Sequence, residues 1–288
     1  MNNNQHFEPL KDKLRILRQS AKSVNKWKRL DFSQVPSIFG NAMPKSGSHL
    51  VLQILHGIAK AAPFRYVDHK PLRTITSEGR IRSKKEILSD LKTLRSGAIG
   101  WGYLTSDADY VNFIENHPDL ISFFVYRDPR DRLISSIFYA VDIHQGHAQH
   151  KYYKSISMEE RIKTEILGRD VPGLEHLPNI RDQYARYIGW LDCPSVLCLK
   201  FEDLILNQRE TLINILEHIE QGSFKISLSR EKSIAVIEQA IQPEKSPTFR
   251  EGKSGKWREY FNEEHKEIFK TVAGDLLIKL GYENNNDW

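Results

Sequence analysis

Cysteine is almost missing from this chain: Cys193 and Cys198 are the only two in 288 residues. No disulfide framework can be built from them, so a reducing compartment, the cytoplasm, is expected. Long apolar runs are missing as well. No stretch approaches the roughly 20 apolar residues that a membrane helix needs. The leading MNNNQHFEPLKDKLRILRQS has no apolar block of the secretory kind. Hydrophobic residues at 40% and charged residues at 27% exclude a disordered or fibrous chain and suffice for a sizeable core.

An excess of charge is missing from most of the chain. Residues 1–30 hold eight Lys/Arg against Glu8 and Asp12, a net of +6 where the whole chain has +5. The rest, with 34 basic and 35 acidic residues, is −1. A nucleic-acid partner is therefore not expected, because such binders carry a basic face on the folded body. Leu10, Leu14, Leu17, Ala21, Val24, Trp27 and Leu30 recur at steps of three or four, so the basic arm reads as a helix. A basic amphipathic helix can touch a membrane surface; docking on the body is the favoured reading.

What is present is an alternation of strand and helix signals. Strands are expected at 37–43, 98–102, 120–126 and 195–201. Helices are expected at 49–61, 84–94, 107–117, from Pro129 onward, and at 181–191, 209–220, 230–241 and 263–280. Gly281 is a good C-terminal stop for the last helix. Segments 63–96 (outside its helix) and 143–180 read as polar and irregular. The pattern implies an α/β fold with a mainly parallel sheet, residues 31–288 forming one domain behind the 1–30 arm.

Open α/β sheets bind ligands beyond the carboxyl ends of their strands. The loop after the first strand is Pro44-Lys45-Ser46-Gly47-Ser48-His49. Gly47 permits a tight turn, and the amides of Ser46 to His49 face a helix start, where unpaired N–H groups and the helix dipole favour an anion. Lys45 adds charge and Ser48 a hydroxyl donor. The nucleotide-triphosphate loop G-x-x-x-x-G-K-[ST] is not present, since Lys45 precedes the only glycine. Arg127 ends the strongest strand, and Ser135 follows two helical turns on; together they suit a second phosphate. Arg127 could instead pair with Asp128 or Asp131. A third basic stretch, Phe249 to Trp257, holds Arg250, Gly252, Lys253 and Lys256 and could close over an anionic ligand. His144, His147 and His150 fit an acceptor-side or surface loop better than a metal site, and no metal is expected.

These segments, in this order, resemble the sulfotransferase family, whose members use 3′-phosphoadenosine-5′-phosphosulfate (PAPS) as sulfuryl donor. The first signature resembles Met43 to Leu50, the second Phe123 to Asp131 with its serine at Ser135, and the third Phe249 to Trp257. Leu199-Lys200-Phe201-Glu202-Asp203-Leu204 is similar to a strand-end element, and Ala273 to Leu277 with Leu280-Gly281-Tyr282 resembles bacterial members. The resemblance implies a three-layer, phosphate-loop-like sulfotransferase fold. It implies that Lys45, Ser46, Gly47, Ser48 and His49 hold the 5′-phosphosulfate. Arg127, Ser135, Arg250 and Gly252 would hold the 3′-phosphate, with Phe201 near the adenine and PAP as product.

The chain departs from the family at Tyr103, where a histidine base is usual. A phenol with a pKa near 10 is a poor base beside imidazole at about 6.5. Tyr103 tuned by cations, His49 or His69 could serve, or the acceptor could be a neutral amine. Leu50 replaces an aromatic and Glu251 a frequent lysine. The expected function is sulfuryl transfer to a hydroxyl or amine of a small acceptor (alcohol, phenol or amine). The rivals are a catalytically silent PAP(S)-binding protein and a small-molecule kinase. The motifs specify the donor and leave the acceptor and the oligomeric state open.

Overall fold

The computed structural model describes residues 8–76, 79–172, 175–246 and 252–288. Five parallel strands form one sheet in the order β2-β3-β1-β4-β5: β1 Ser37–Ala42, β2 Tyr66–Val67, β3 Ala98–Gly102, β4 Leu120–Tyr126 and β5 Val196–Lys200. The helices are α1 Glu8–Trp27, α2 Ser48–Ala61, α3 Lys84–Leu91, α4 Ala108–Glu115, α5 Pro129–Phe138, α6 His150–Ser155, α7 Met158–Leu167, α8 Ile180–Ala185, α9 Phe201–Leu206, α10 Gln208–Ile219, α11 Arg230–Ala240 and α12 Glu263–Lys279.

The apolar run at 37–43 is buried on both faces, as a central parallel strand must be. Successive side chains feed opposite layers. Ile38 and Ala42 join α2, α10 and α11 on one face; Phe39 and Met43 join α5, α7, α8 and α12 on the other. β4 repeats the division, with Phe123 and Val125 on the first face and Phe124 and Tyr126 on the second. The result is three layers. Leu55 and Ile58 of α2 are fully buried, so truncating either to alanine should cost about 2–5 kcal/mol. α2 and α11 approach closely because Gly57 has no side chain; a Cβ there would lie 2.7 Å from the Ile237 Cα.

The order places β1 between strands that follow it on opposite sides. β2 and β3 lie to one side, β4 and β5 to the other. This reversal opens a crevice at the carboxyl ends of β1 and β4. Asp128 caps α5 by accepting from the Arg130 amide at 2.9 Å, and Pro129 opens its first turn.

Several local expectations shift. Segment 63–96 contains the edge strand β2. Segment 143–180 contains α6 and α7. The helix expected at 181–191 stops at Ala185 and resumes as a 3₁₀ turn, Ile188–Asp192. Phe201, read as the end of a strand, opens α9.

α1 lies against β2. Gln19 donates to the Val67 carbonyl at 3.3 Å and accepts from the Val67 amide at 3.0 Å. Ser23 Oγ donates to the Phe64 carbonyl at 2.6 Å. These contacts cover backbone groups that an edge strand would leave open. No helix among the described residues is long and apolar enough to cross a membrane.

Candidate active site

The loop after β1 turns tightly: the Ser46 amide donates to the Met43 carbonyl at 3.0 Å. Lys45 and Gly47 flank Ser46 with φ of 70° and 84°, both left-handed. For Lys45 that conformation is uncommon and marks local strain. Gly47 is required twice over, by its φ and by space. A Cβ on it would stand 2.5 and 2.7 Å from two ring carbons of Phe201. Gly47 also precedes α2, and no side chain caps that helix. Its first-turn amides therefore face the crevice.

Arg127 leaves the end of β4 and reaches back to this loop. Its Nη1 donates to the Lys45 carbonyl at 3.4 Å and its Nη2 to the Lys253 carbonyl at 3.1 Å. Its guanidinium carbon lies 4.6 Å from the Phe201 ring centre. It forms no ion pair with Asp128 or Asp131. Asp128 is paired with the buried Arg130 at 2.7 Å. Asp131 accepts from the backbone amides of Gly255 at 2.6 Å and Trp257 at 2.9 Å. Those bonds tie the Gly252–Trp257 stretch to the start of α5.

One cleft of about 860 Å³ gathers these groups. Its walls include Lys45, Gly47, Ser48, His49, Tyr103, Arg127, Ser135, Phe201 and Gly252. Ser46, within the loop, is fully buried and is not part of the cleft wall; its Oγ has no hydrogen-bond partner. Arg127, which does line the cleft, has its Nε buried without a partner. An orphaned guanidinium donor at the cleft fits a ligand rich in acceptor oxygens. Arg250 lies outside the described residues.

Tyr103, at the end of β3, donates its hydroxyl hydrogen bond to Ser48 Oγ at 2.8 Å. Its loop is pinned by a residue the sequence reading passed over. Asn41 in β1 donates to the Leu104 carbonyl at 2.9 Å and accepts from the Leu104 amide at 2.8 Å. A single amide side chain inside an apolar strand was the available signal. Tyr139, Tyr187, Arg73 and Arg186 also line the cleft and were not singled out. Lys45 Nζ lies 3.8 Å from the Tyr139 ring centre.

The candidate histidines separate. His49 is in the cleft wall, and burial together with Lys45 lowers its pKa below the usual imidazole value. His69 is elsewhere, 3.2 Å from Gln19 Nε2 and 5.8 Å from the His56 ring. It is not brought to Tyr103. His144 and His147 pack around the Tyr139 ring at 5.5 and 5.9 Å. Among the described residues no group of three His, Cys, Asp or Glu is arranged to hold a metal.

The sulfotransferase domain model matches residues 36–281. The chain belongs to the sulfotransferase family. No curated protein matches it in sequence. Among solved structures, mouse sulfotransferase SULT7A1 complexed with PAP is similar at TM-score 0.57 and 14% identity, covering 88% of this chain and 91% of that one. Retinol dehydratase, in complex with androsterone and inactive cofactor PAP, is similar at 0.51 and 18% identity, covering 91% and 85%. At these identities the likeness shows the fold. Sulfotransferase membership makes sulfuryl transfer from PAPS the reaction class of this chain.

Proposed function

We propose that this sulfotransferase sulfates a hydroxyl or amine of a small acceptor, with Lys45, Ser46, Gly47, Ser48 and His49 holding the 5′ end of PAPS and Arg127, Ser135 and Gly252 the 3′-phosphate. The observation that carries the assignment is the meeting of the two grips: Arg127 Nη1 reaches the Lys45 carbonyl at 3.4 Å within one cleft. Arg250 would join the 3′ end by the motif. Phe201 packs on Gly47 and beside Arg127, which suits a ring that also borders the adenine.

PAPS supplies the sulfuryl group on a phosphate leaving group. The acceptor oxygen forms the new S–O bond, the bond from sulfur to the bridging phosphate oxygen breaks, and its electron pair goes to that oxygen. Lys45 and the α2 amides stabilise the growing charge, an electrostatic contribution that preorganised donors make well. Tyr103 takes the acceptor's proton as it passes its own to Ser48 Oγ, and the Ser48 hydroxyl proton moves to the departing oxygen. This relay needs no preformed phenolate. With a neutral amine acceptor, attack precedes proton loss and Tyr103 matters less. The two free cysteines and the absence of a membrane-spanning helix among the described residues support a cytoplasmic setting.

Calorimetry with PAP, and separately with ATP and magnesium, tests the reading. PAP binding without ATP binding supports it; ATP binding without PAP binding points to the kinase rival. PAP binding with no turnover of PAPS on any alcohol, phenol or amine would favour the silent binder.

A further inference from the structure

Resting on this donor assignment, we propose that the acceptor is an aromatic hydroxy compound that carries an oxyanion, and that Arg73 and Arg186 recognise it. The charges in the cleft wall are lopsided. Its described lysines and arginines are Lys45, Arg73, Arg127, Arg186, Lys253 and Lys256, and its one described acid is Asp131. Both Asp131 oxygens are engaged by the Gly255 and Trp257 amides. Lys45 and Arg127 serve the donor, and Lys253 and Lys256 belong to the stretch beside Gly252. Arg73 and Arg186 remain, and no described carboxylate pairs with either. Two solvent-exposed guanidinium groups in a concave wall attract an anion.

Both arginines belong to the Tyr103 end of the cleft. The Arg73 guanidinium carbon is 5.7 Å from the Tyr103 ring centre. The Arg186 carbonyl accepts from the Ser106 amide at 2.8 Å and the Ser106 hydroxyl at 3.2 Å, which anchors it to the loop running on from Tyr103. Around them stand the rings of Trp101, Tyr103, Tyr139 and Tyr187, with Trp101 5.7 Å from Tyr103. Rings select a flat body, and their hydroxyls and the two guanidinium groups select its polar substituents. A neutral, wholly apolar acceptor would leave both cations facing it without compensation.

The test titrates 6-hydroxy-2-naphthoate and 2-naphthol into the PAP-saturated protein by calorimetry. PAP uptake is measured first, so failure of the donor reading appears as no PAP binding and overturns both proposals. With PAP bound, the carboxylate should bind at least about tenfold more tightly than the neutral naphthol, as expected for a charge-assisted contact. Arg73→Gln with Arg186→Gln should erase that preference and leave PAP affinity and the melting temperature unchanged. Arg73→Lys should keep part of it. Equal or weaker binding of the carboxylate, binding of neither probe, or a preference that survives both glutamine substitutions would overturn the acceptor proposal while leaving the donor site standing.

Discussion

The phenol of Tyr103 and the hydroxyl of Ser48 are joined by a 2.8 Å hydrogen bond that spans the gap between the end of β3 and the start of α2. Ser48 belongs to the loop after β1. In the proposed reading Tyr103 faces the acceptor and Ser48 the leaving group, so their contact would connect the two sides. Tyr103→Phe and Ser48→Ala should each lower kcat for an alcohol acceptor by about 10²-fold or more, the scale of general acid–base catalysis. The double variant should lose little beyond either single one, because both remove one relay. Tyr103→His should retain activity. Initial rates over a thermodynamic cycle check this, and fully additive losses would contradict it.

Gly47 should tolerate no side chain. Alanine there would meet the Phe201 ring at 2.5 Å and would hold φ at 84°. PAP affinity of Gly47→Ala should fall by at least about tenfold, through displacement of the ring and the loop together. Adding Phe201→Ala should recover only part of the loss, since the backbone strain remains. Calorimetry on the three variants reads both effects.

Asn41 acts at a distance from the chemistry. Its two bonds to Leu104 are buried, and Asn41→Ala leaves that amide and carbonyl without their partner; the carbonyl keeps only the Trp190 indole at 2.9 Å. Stability should fall by about 1–3 kcal/mol by thermal or urea unfolding. At a temperature where the variant is folded, kcat should drop further than PAP affinity, because Tyr103 loses its support while the anion loop does not.

His49 predicts a proton linkage. Burial and Lys45 hold its pKa below 6.5 in the protein without ligand. The folded state thus binds the proton less readily than the unfolded chain, so its contribution to stability is fully present above pH 6.5 and is lost as pH falls below that value through the lower pKa of the folded state. A bound phosphate beside His49 should raise the pKa again. PAP binding should then take up protons near pH 6, seen as a buffer-dependent calorimetric enthalpy. His49→Gln should remove that part of the uptake, which separates it from titration of the nucleotide's own phosphates.

Much of this was readable from residue order. Apolar runs at 37–43, 98–102, 120–126 and 195–201 gave the sheet, because strands buried on both faces carry no competing periodicity. The loop proposed to hold an anion is legible because glycine, lysine and two serines fall between a strand and a helix. The wall proposed to face the acceptor is not legible. Arg73, Tyr139 and Arg186 come from segments with no motif, and only the tertiary fold brings them to Tyr103. β2 leaves no mark in the sequence because two residues are too few to show alternation. The boundary at Phe201 is not visible in the sequence, since an apolar strand runs straight into an apolar helix start.

The central claim is that one nucleotide bridges the Lys45 loop and Arg127. Affinities for PAP, 5′-AMP and 3′-AMP, measured on the wild type, Lys45→Ala and Arg127→Ala, test it most directly. PAP should bind more tightly than either monophosphate. Arg127→Ala should bring PAP down to the level of 5′-AMP while sparing 5′-AMP itself, and Lys45→Ala should do the converse with 3′-AMP. PAP binding no tighter than the monophosphates, or unchanged in both variants, would contradict it.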